Sequence, residues 1–201
     1  MSNNKEVYNG RAKTLSKLFR YLFLLSIGTA LSSMMIGDIF AQFIPNLYLP
    51  GVILDVACAF GYSVFLLRLA PADKQYRTAG YCMLIAGAIR LMATDISENA
   101  SKFVFLITIA TTFVQFIGEY NEMTAHDTLM IETDFKLSER WTLLRKCYMI
   151  AFLTNSVSLM LTMLIPSVGA VIYIAASVAL AAISVFKTYF LYRTWKAFEA
   201  L

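Results

Sequence analysis

Apolar residues along this chain gather into six long runs separated by short polar gaps. The runs fall at 19–44, 51–70, 78–94, 102–118, 147–165 and 168–192. An α-helix needs about 20 mostly apolar residues to cross the hydrocarbon of a bilayer, so each run predicts a transmembrane helix. The third is the shortest and is interrupted by Arg90. Pro45 and Pro50 bracket the first turn, Pro71 closes the second run and Pro166 marks the last turn, where helices are expected to stop. The fourth helix is expected to continue past the membrane to about residue 131. The pattern predicts an all-α membrane protein with six crossings, organised as a single polytopic domain over residues 1–201.

Composition agrees with the pattern. A soluble domain is about half apolar and about a quarter charged. Here the figures are 59% and 15%, with a mean hydropathy of +0.64, which leaves too few polar residues to cover a core in water. The basic residues then set orientation. Of seventeen Lys and Arg, fifteen fall in gaps or tails that share one side if all six runs cross. Lys5, Arg11, Lys13, Lys17 and Arg20 precede the first run, and Arg68, Lys74 and Arg77 flank the second gap. Lys136, Arg140, Arg145 and Lys146 sit in the fourth gap, and Lys187, Arg193 and Lys196 are counted with the tail. Only Arg90 and Lys102 fall toward the other side. The positive-inside rule therefore predicts both termini in the cytoplasm, in a plasma (cytoplasmic) membrane. The first run is too long for a signal-peptide core and is expected to remain as a helix. Asn99-Ala100-Ser101, on the opposite side, fits a short glycosylation sequon that arises readily by chance.

The same basic face implies attraction to anionic lipid on the inner leaflet, worth about 1 kcal/mol per nearby Lys or Arg. No nucleic-acid partner is needed to explain it. Tyr21, Trp141, Tyr148, Tyr189, Tyr192 and Trp195 are expected to form an aromatic belt at that interface. Small residues on the first run (Ser26, Gly28, Ala30, Ser32) and on the sixth (Ala175, Ala176, Ala179, Ala182, Ser184) favour close helix packing, within the chain or against a partner subunit or second copy. Asn155 and Thr162 are expected to bond across to a neighbouring helix, and Ser138 to cap the fifth.

Candidate chemistry is sparse. The chain lacks the zinc-protease, nucleophile-elbow, phosphate-loop and dinucleotide signatures. Its three cysteines lie within or at the start of helices, away from any oxidising loop. One histidine excludes a multi-histidine metal site or bis-histidine haem within the chain; Glu119, Glu122 and His126, one turn apart, would suit iron, manganese or zinc, but such residues beyond a helix end are more often solvated, and no cofactor, metal site or catalytic residue is assigned. Two groups remain. Asp38 lies about 9 Å from the end of the first run, Asp55 about 6 Å into the second, and Arg90 about 7 Å before Asp95 at the end of the third, at 1.5 Å per residue. These charges share a depth under the outer surface, where a bilayer makes unpaired charge expensive. The reading is either a structural ion pair or a polar pocket for a cation, proton or polar solute.

The second group is a stripe on the fourth helix. Thr108, Thr112, Gln115, Glu119, Glu122 and His126 recur at steps of four and three, which keeps them on one helical face. A polar line of this kind cannot comfortably face lipid. It glues helices, lines a wet path or, in its last three members, is simply solvated. Three functions follow: a small-solute or ion carrier or transporter subunit, a non-catalytic membrane subunit or assembly factor, and an inner-face lipid-processing enzyme using Glu119, Glu122, His126 and Asp127. The carrier is favoured, because the outer cluster has one acid more than its arginine can pair.

Overall fold

The computed structural model describes residues 2–37, 43–93 and 101–201, with the side chains at 2–9, 45, 90, 92–93, 101–106, 108 and 163 outside that description. Six long helices make up the described chain: α1 (Ser2–Ile36), α2 (Tyr48–Leu69), α3 (Lys74–Ala93), α4 (Ser101–Met130), α5 (Phe135–Leu164) and α6 (Pro166–Glu199). Each predicted run lies on one of them; α1 ends at Ile36, and residues 38–42 of the first run and 94 of the third lie outside the described residues. A single 3-10 turn over Pro45–Leu47 leads into α2. Pro166 sits in the first turn of α6, where its missing N–H leaves no hydrogen bond unmade. The cap of α5 differs from expectation. Asp134 takes that position in extended backbone, and its carboxylate accepts the Leu137 N–H at 3.1 Å. Ser138 is instead inside the first turn, with its hydroxyl 2.6 Å from Asp127.

The helices form a closed ring. Each packs against its neighbours in sequence, and α6 closes the circle against α1. Small residues set the closest approaches. A Cβ added to Gly28 on α1 would lie 2.5 Å from Cys58 Sγ on α2. Four residues further along α1, Ser32 donates to Asp55 at 3.0 Å, so the two helices touch on one antiparallel seam. Between α5 and α6 a Cβ on Gly169 would stand 2.3 Å from the Thr162 backbone nitrogen. Asn155 does bond across this pair, its side-chain oxygen accepting from Ser177 at 3.4 Å. Thr162 does not: its hydroxyl turns back to the Ser158 carbonyl of its own helix.

The two ends of the ring are packed differently. At the end that holds both termini, Phe19, Leu22, Leu66, Leu69, Tyr76, Met123, Met130, Trp141 and Leu191 form a dense core. Trp141 was expected at the lipid interface but is fully buried there. Its indole N–H donates to Thr194 at 3.2 Å, and its ring lies 4.5 Å from that of His126. Tyr21 and Tyr189 remain largely exposed. Away from that end the order reverses, and large apolar side chains point outward. They include Leu31 and Met34 on α1, Ile53 on α2, Ile85 on α3, Phe113 on α4, Met160 on α5 and Val171 on α6. Apolar surface on this scale is not tolerated by a monomer in water. Among the described residues, three helices are long and apolar enough to cross a membrane: 10–36 of α1, all of α2 and all of α6.

Candidate functional site

The polar face of α4 turns into the ring, and α6 answers it with a lysine. Lys187 donates to Glu119 Oε2 at 2.5 Å and to Glu122 Oε2 at 2.8 Å. Glu119 and Glu122 are one turn apart on α4, so a single ammonium opposite that turn reaches both. Their surroundings differ. The Glu122 side chain is 0% exposed, whereas Glu119 keeps 18% and Lys187 11%. Tyr62 of α2 donates its hydroxyl to Glu122 Oε1 in a short hydrogen bond, and the Lys187 ammonium lies 5.2 Å from the centre of the Tyr62 ring. Three helices thus meet on one buried carboxylate, whose other contacts come from its own helix.

The network continues toward the packed end. His126 Nε2 lies 3.2 Å from Glu122 Oε1, and Nδ1 lies 2.7 Å from the Tyr76 hydroxyl on α3. The carboxylate requires a donor, which puts the proton on Nε2 and leaves Nδ1 to accept from Tyr76. This is the neutral imidazole with both nitrogens satisfied. Burial holds the His126 pKa below its usual value, against the opposing pull of Glu122. Phe19, Tyr76 and Trp141 rings surround the imidazole. Asp127 faces a separate set on α5, accepting from Ser138 at 2.6 Å and Thr142 at 2.7 Å, with Arg145 at 3.5 Å.

Above Lys187, away from the termini, the ring is hollow. A cavity of about 360 Å³ is walled by Ser26, Thr29 and Ser33 of α1, Asp55 and Tyr62 of α2, Met83 and Gly87 of α3, Gln115 of α4, and Ser184 and Thr188 of α6. Glu119 and Lys187 form its charged floor. A second space of about 220 Å³ on the α5 side reaches the same pair past Thr112, Tyr148 and Asn155. Ser26 and Thr188 hydroxyls bond at 2.5 Å across the α1–α6 closure. The wall is therefore rich in hydroxyls, and the charges on it are Asp55, Glu119 and Lys187.

The α4 stripe thus turns inward over its described length. Thr112, Gln115 and Glu119 line the two spaces, and Glu122 and His126 are sealed beneath them. The solvated reading of the last three does not apply to Glu122 and His126, which are fully buried. Thr108's side chain is outside the described residues. Of the outer charge cluster, Asp55 is on the cavity wall with Ser32 as its donor. Asp38, Asp95 and the Arg90 side chain lie outside the described residues. The sequence reading missed the central role of Lys187, which was counted with the basic tail and is instead buried within the ring. It missed Tyr62, Tyr76 and Trp141 as partners of the polar stripe. The available signal was an ionisable residue inside the last apolar run, which in a membrane span warrants a functional hypothesis by default.

Among the described residues, no group of three His, Cys, Asp or Glu side chains is placed to hold a metal ion. The space between Glu119 and Glu122 is taken by the Lys187 ammonium. No protein-family model, curated protein or solved structure matches this chain.

Proposed function

We propose that the protein is a membrane-embedded carrier, or the membrane subunit of one, for a small polar or ionic solute. The observation that carries this reading is the hydroxyl-lined cavity whose floor presents Glu119 and Lys187. A purely structural ion pair would be packed shut, as Glu122 and His126 are. A cavity with a charged floor and hydroxyls on its wall holds water or a solute that replaces water. Dense packing at the termini end and a hollow at the other end are what one state of an alternating-access carrier requires: closed on one side, reachable from the other.

In this reading all six helices cross, with both termini in the cytoplasm and the cavity facing out. Support comes from exposed apolar side chains on all six helices and from the basic residues near the termini end, which suit anionic lipid at the inner leaflet. The chain position of Lys187 agrees. It lies 21 residues beyond Pro166, about 31 Å along α6 at 1.5 Å per residue, close to one hydrocarbon thickness of about 30 Å. The sealed core beyond it would then sit at the inner interface. An inner-face enzyme using Glu122 and His126 is disfavoured by that core, since aromatic rings cover both groups.

The test is accessibility. In a background with Cys58, Cys82 and Cys147 replaced by alanine, single cysteines at Ser33 and Ser184 should react with an impermeant thiol reagent added to intact cells. Cysteines at Ala125 and Leu191 should not react. Unreactive Ser33 and Ser184 positions would remove the outward cavity and the carrier reading with it.

A further inference from the structure

We propose that the cavity takes a small organic cation bearing an ammonium group, with Glu119 as its carboxylate and Lys187 as the tethered ammonium that fills that place when the cavity is empty. This deepens the carrier reading above and rests on it.

Charge balance comes first. Among the described residues, the cavity presents two carboxylates, Asp55 and Glu119, to one ammonium, that of Lys187, which a third carboxylate, Glu122, holds from beneath the floor. Asp38 and Arg90, whose side chains are outside the described residues, have opposite charges, so including both leaves the balance unchanged. Asp95 would only add to the acid. An anion entering this space meets an excess of negative charge, and the cation that lines it among the described residues is already held by two carboxylates. A cation meets a favourable field along the whole wall.

The geometry of the floor is the second argument. It already binds an ammonium: Lys187 Nζ is 2.5 Å from Glu119, 2.8 Å from Glu122 and 5.2 Å from the Tyr62 ring centre. Carboxylate plus aromatic face is the surrounding that an alkylammonium prefers. The two carboxylates are not equivalent. Glu122 is also held by Tyr62 and His126 and is sealed off, whereas Glu119 is held by Lys187 and opens to the cavity. An incoming ammonium would displace Lys187 from Glu119 while Lys187 kept Glu122. The ligand's second end would meet Asp55 or the Ser and Thr hydroxyls. Asp55 is seven residues before Tyr62 on α2, about 10 Å along the axis. A bare metal ion would leave most of about 360 Å³ unfilled, so an organic cation suits the space better.

The probe is n-butylammonium, which reproduces the lysine side chain, with butyrate and n-butanol at equal concentration as its anionic and neutral counterparts. Binding to the detergent-purified full chain is measured by calorimetric titration. Saturable binding of n-butylammonium alone is expected. Glu119→Gln should weaken it at least tenfold. Removing the tethered competitor while keeping charge compensated, in Lys187→Met with Glu122→Gln, should tighten it at least tenfold. Each variant is first required to give the wild-type elution profile in detergent, and Lys187→Arg serves in place of the double variant if that one misfolds. Arginine's bidentate grip on Glu119 should then weaken n-butylammonium binding. Butyrate binding, or cation affinity unchanged by Glu119→Gln, overturns the proposal. If Ser33 and Ser184 cysteines label from outside while n-butylammonium fails to bind, the cation assignment falls and the carrier reading stands. If neither labels, the carrier reading itself has failed.

Discussion

Replacing Lys187 by methionine tests the central network directly. Methionine is similar in length and fills the same volume, so the change removes charge with little loss of packing. What remains is Glu122, fully buried, with Tyr62 and His126 as donors and no cation. Glu119 loses the same partner but keeps contact with the cavity, where water can solvate it. The destabilisation therefore comes mainly from Glu122. Removing one member of a buried ion pair typically costs about 3–5 kcal/mol, and removing both can be nearly neutral. At roughly 2–4 °C per kcal/mol for a chain of 150–250 residues, this corresponds to a melting point lower by roughly 6–20 °C.

The assay is thermal unfolding of the detergent-purified protein followed by tryptophan fluorescence, for which buried Trp141 on the His126 ring is a built-in reporter. The double variants carry the discrimination. Glu122→Gln added to Lys187→Met should restore more than half of the loss, because the buried charge is gone. Glu119→Gln added instead should restore much less, because that carboxylate opens to the cavity. Wild-type melting of Lys187→Met, or better rescue from Glu119 than from Glu122, would refute the assignment of sealed floor and open wall.

Helix contacts and topology give further outcomes. Gly169→Ala should destabilise by about 1–3 kcal/mol or more, since overpacking against backbone has no easy relief, and the new Cβ meets the Thr162 backbone at 2.3 Å. Gly10→Ala, with open space around it, should raise the melting point slightly, as alanine is favoured over glycine in a helix by about 1 kcal/mol. A cysteine at Asn46 should label from outside intact cells and one at Lys136 should not; the reverse pattern would invert the topology. The depressed pKa of buried His126 sets a pH dependence. Below its usual value the unfolded chain takes up a proton that the folded imidazole refuses, so stability should fall as pH drops through and below about 6.5. His126→Gln should flatten that part of the stability profile, measured by the same melts.

The helices were legible because hydrophobic runs and prolines act locally. Pro166 ends one helix and begins the next whatever surrounds it, and the four-and-three spacing from Thr112 to His126 fixes a shared face by helical geometry alone. What that face meets depends on which helices become neighbours, and this is not encoded locally. Lys187 stands five residues before Tyr192, near the end of the last run, where a basic residue reads as part of a cytoplasmic flank. Only closure of α6 against the rest of the ring brings it to Glu119 and Glu122. Trp141 was misplaced for a related reason. An aromatic beside basic residues at a helix start resembles an interfacial anchor, but α5 extends past the apolar segment and carries the indole into the packed end. Ser138 lost its capping role because Asp134, four residues earlier, was in extended backbone with a carboxylate free to accept.

The two carboxylates of α4 then account for why the hollow and the sealed core meet at Lys187 rather than elsewhere. A buried carboxylate needs several donors, and Glu122 collects them from α2, from α6 and from His126 of its own helix. Satisfying it draws those helices together at one level, and below that level apolar and aromatic side chains fill the interior. One turn above, Glu119 asks for fewer donors because water reaches it, so the helices need not converge. Small polar residues such as Ser26, Thr29 and Ser184 leave space there instead of filling it. The boundary between packed and hollow halves is thus set by the difference in burial between two neighbouring acids.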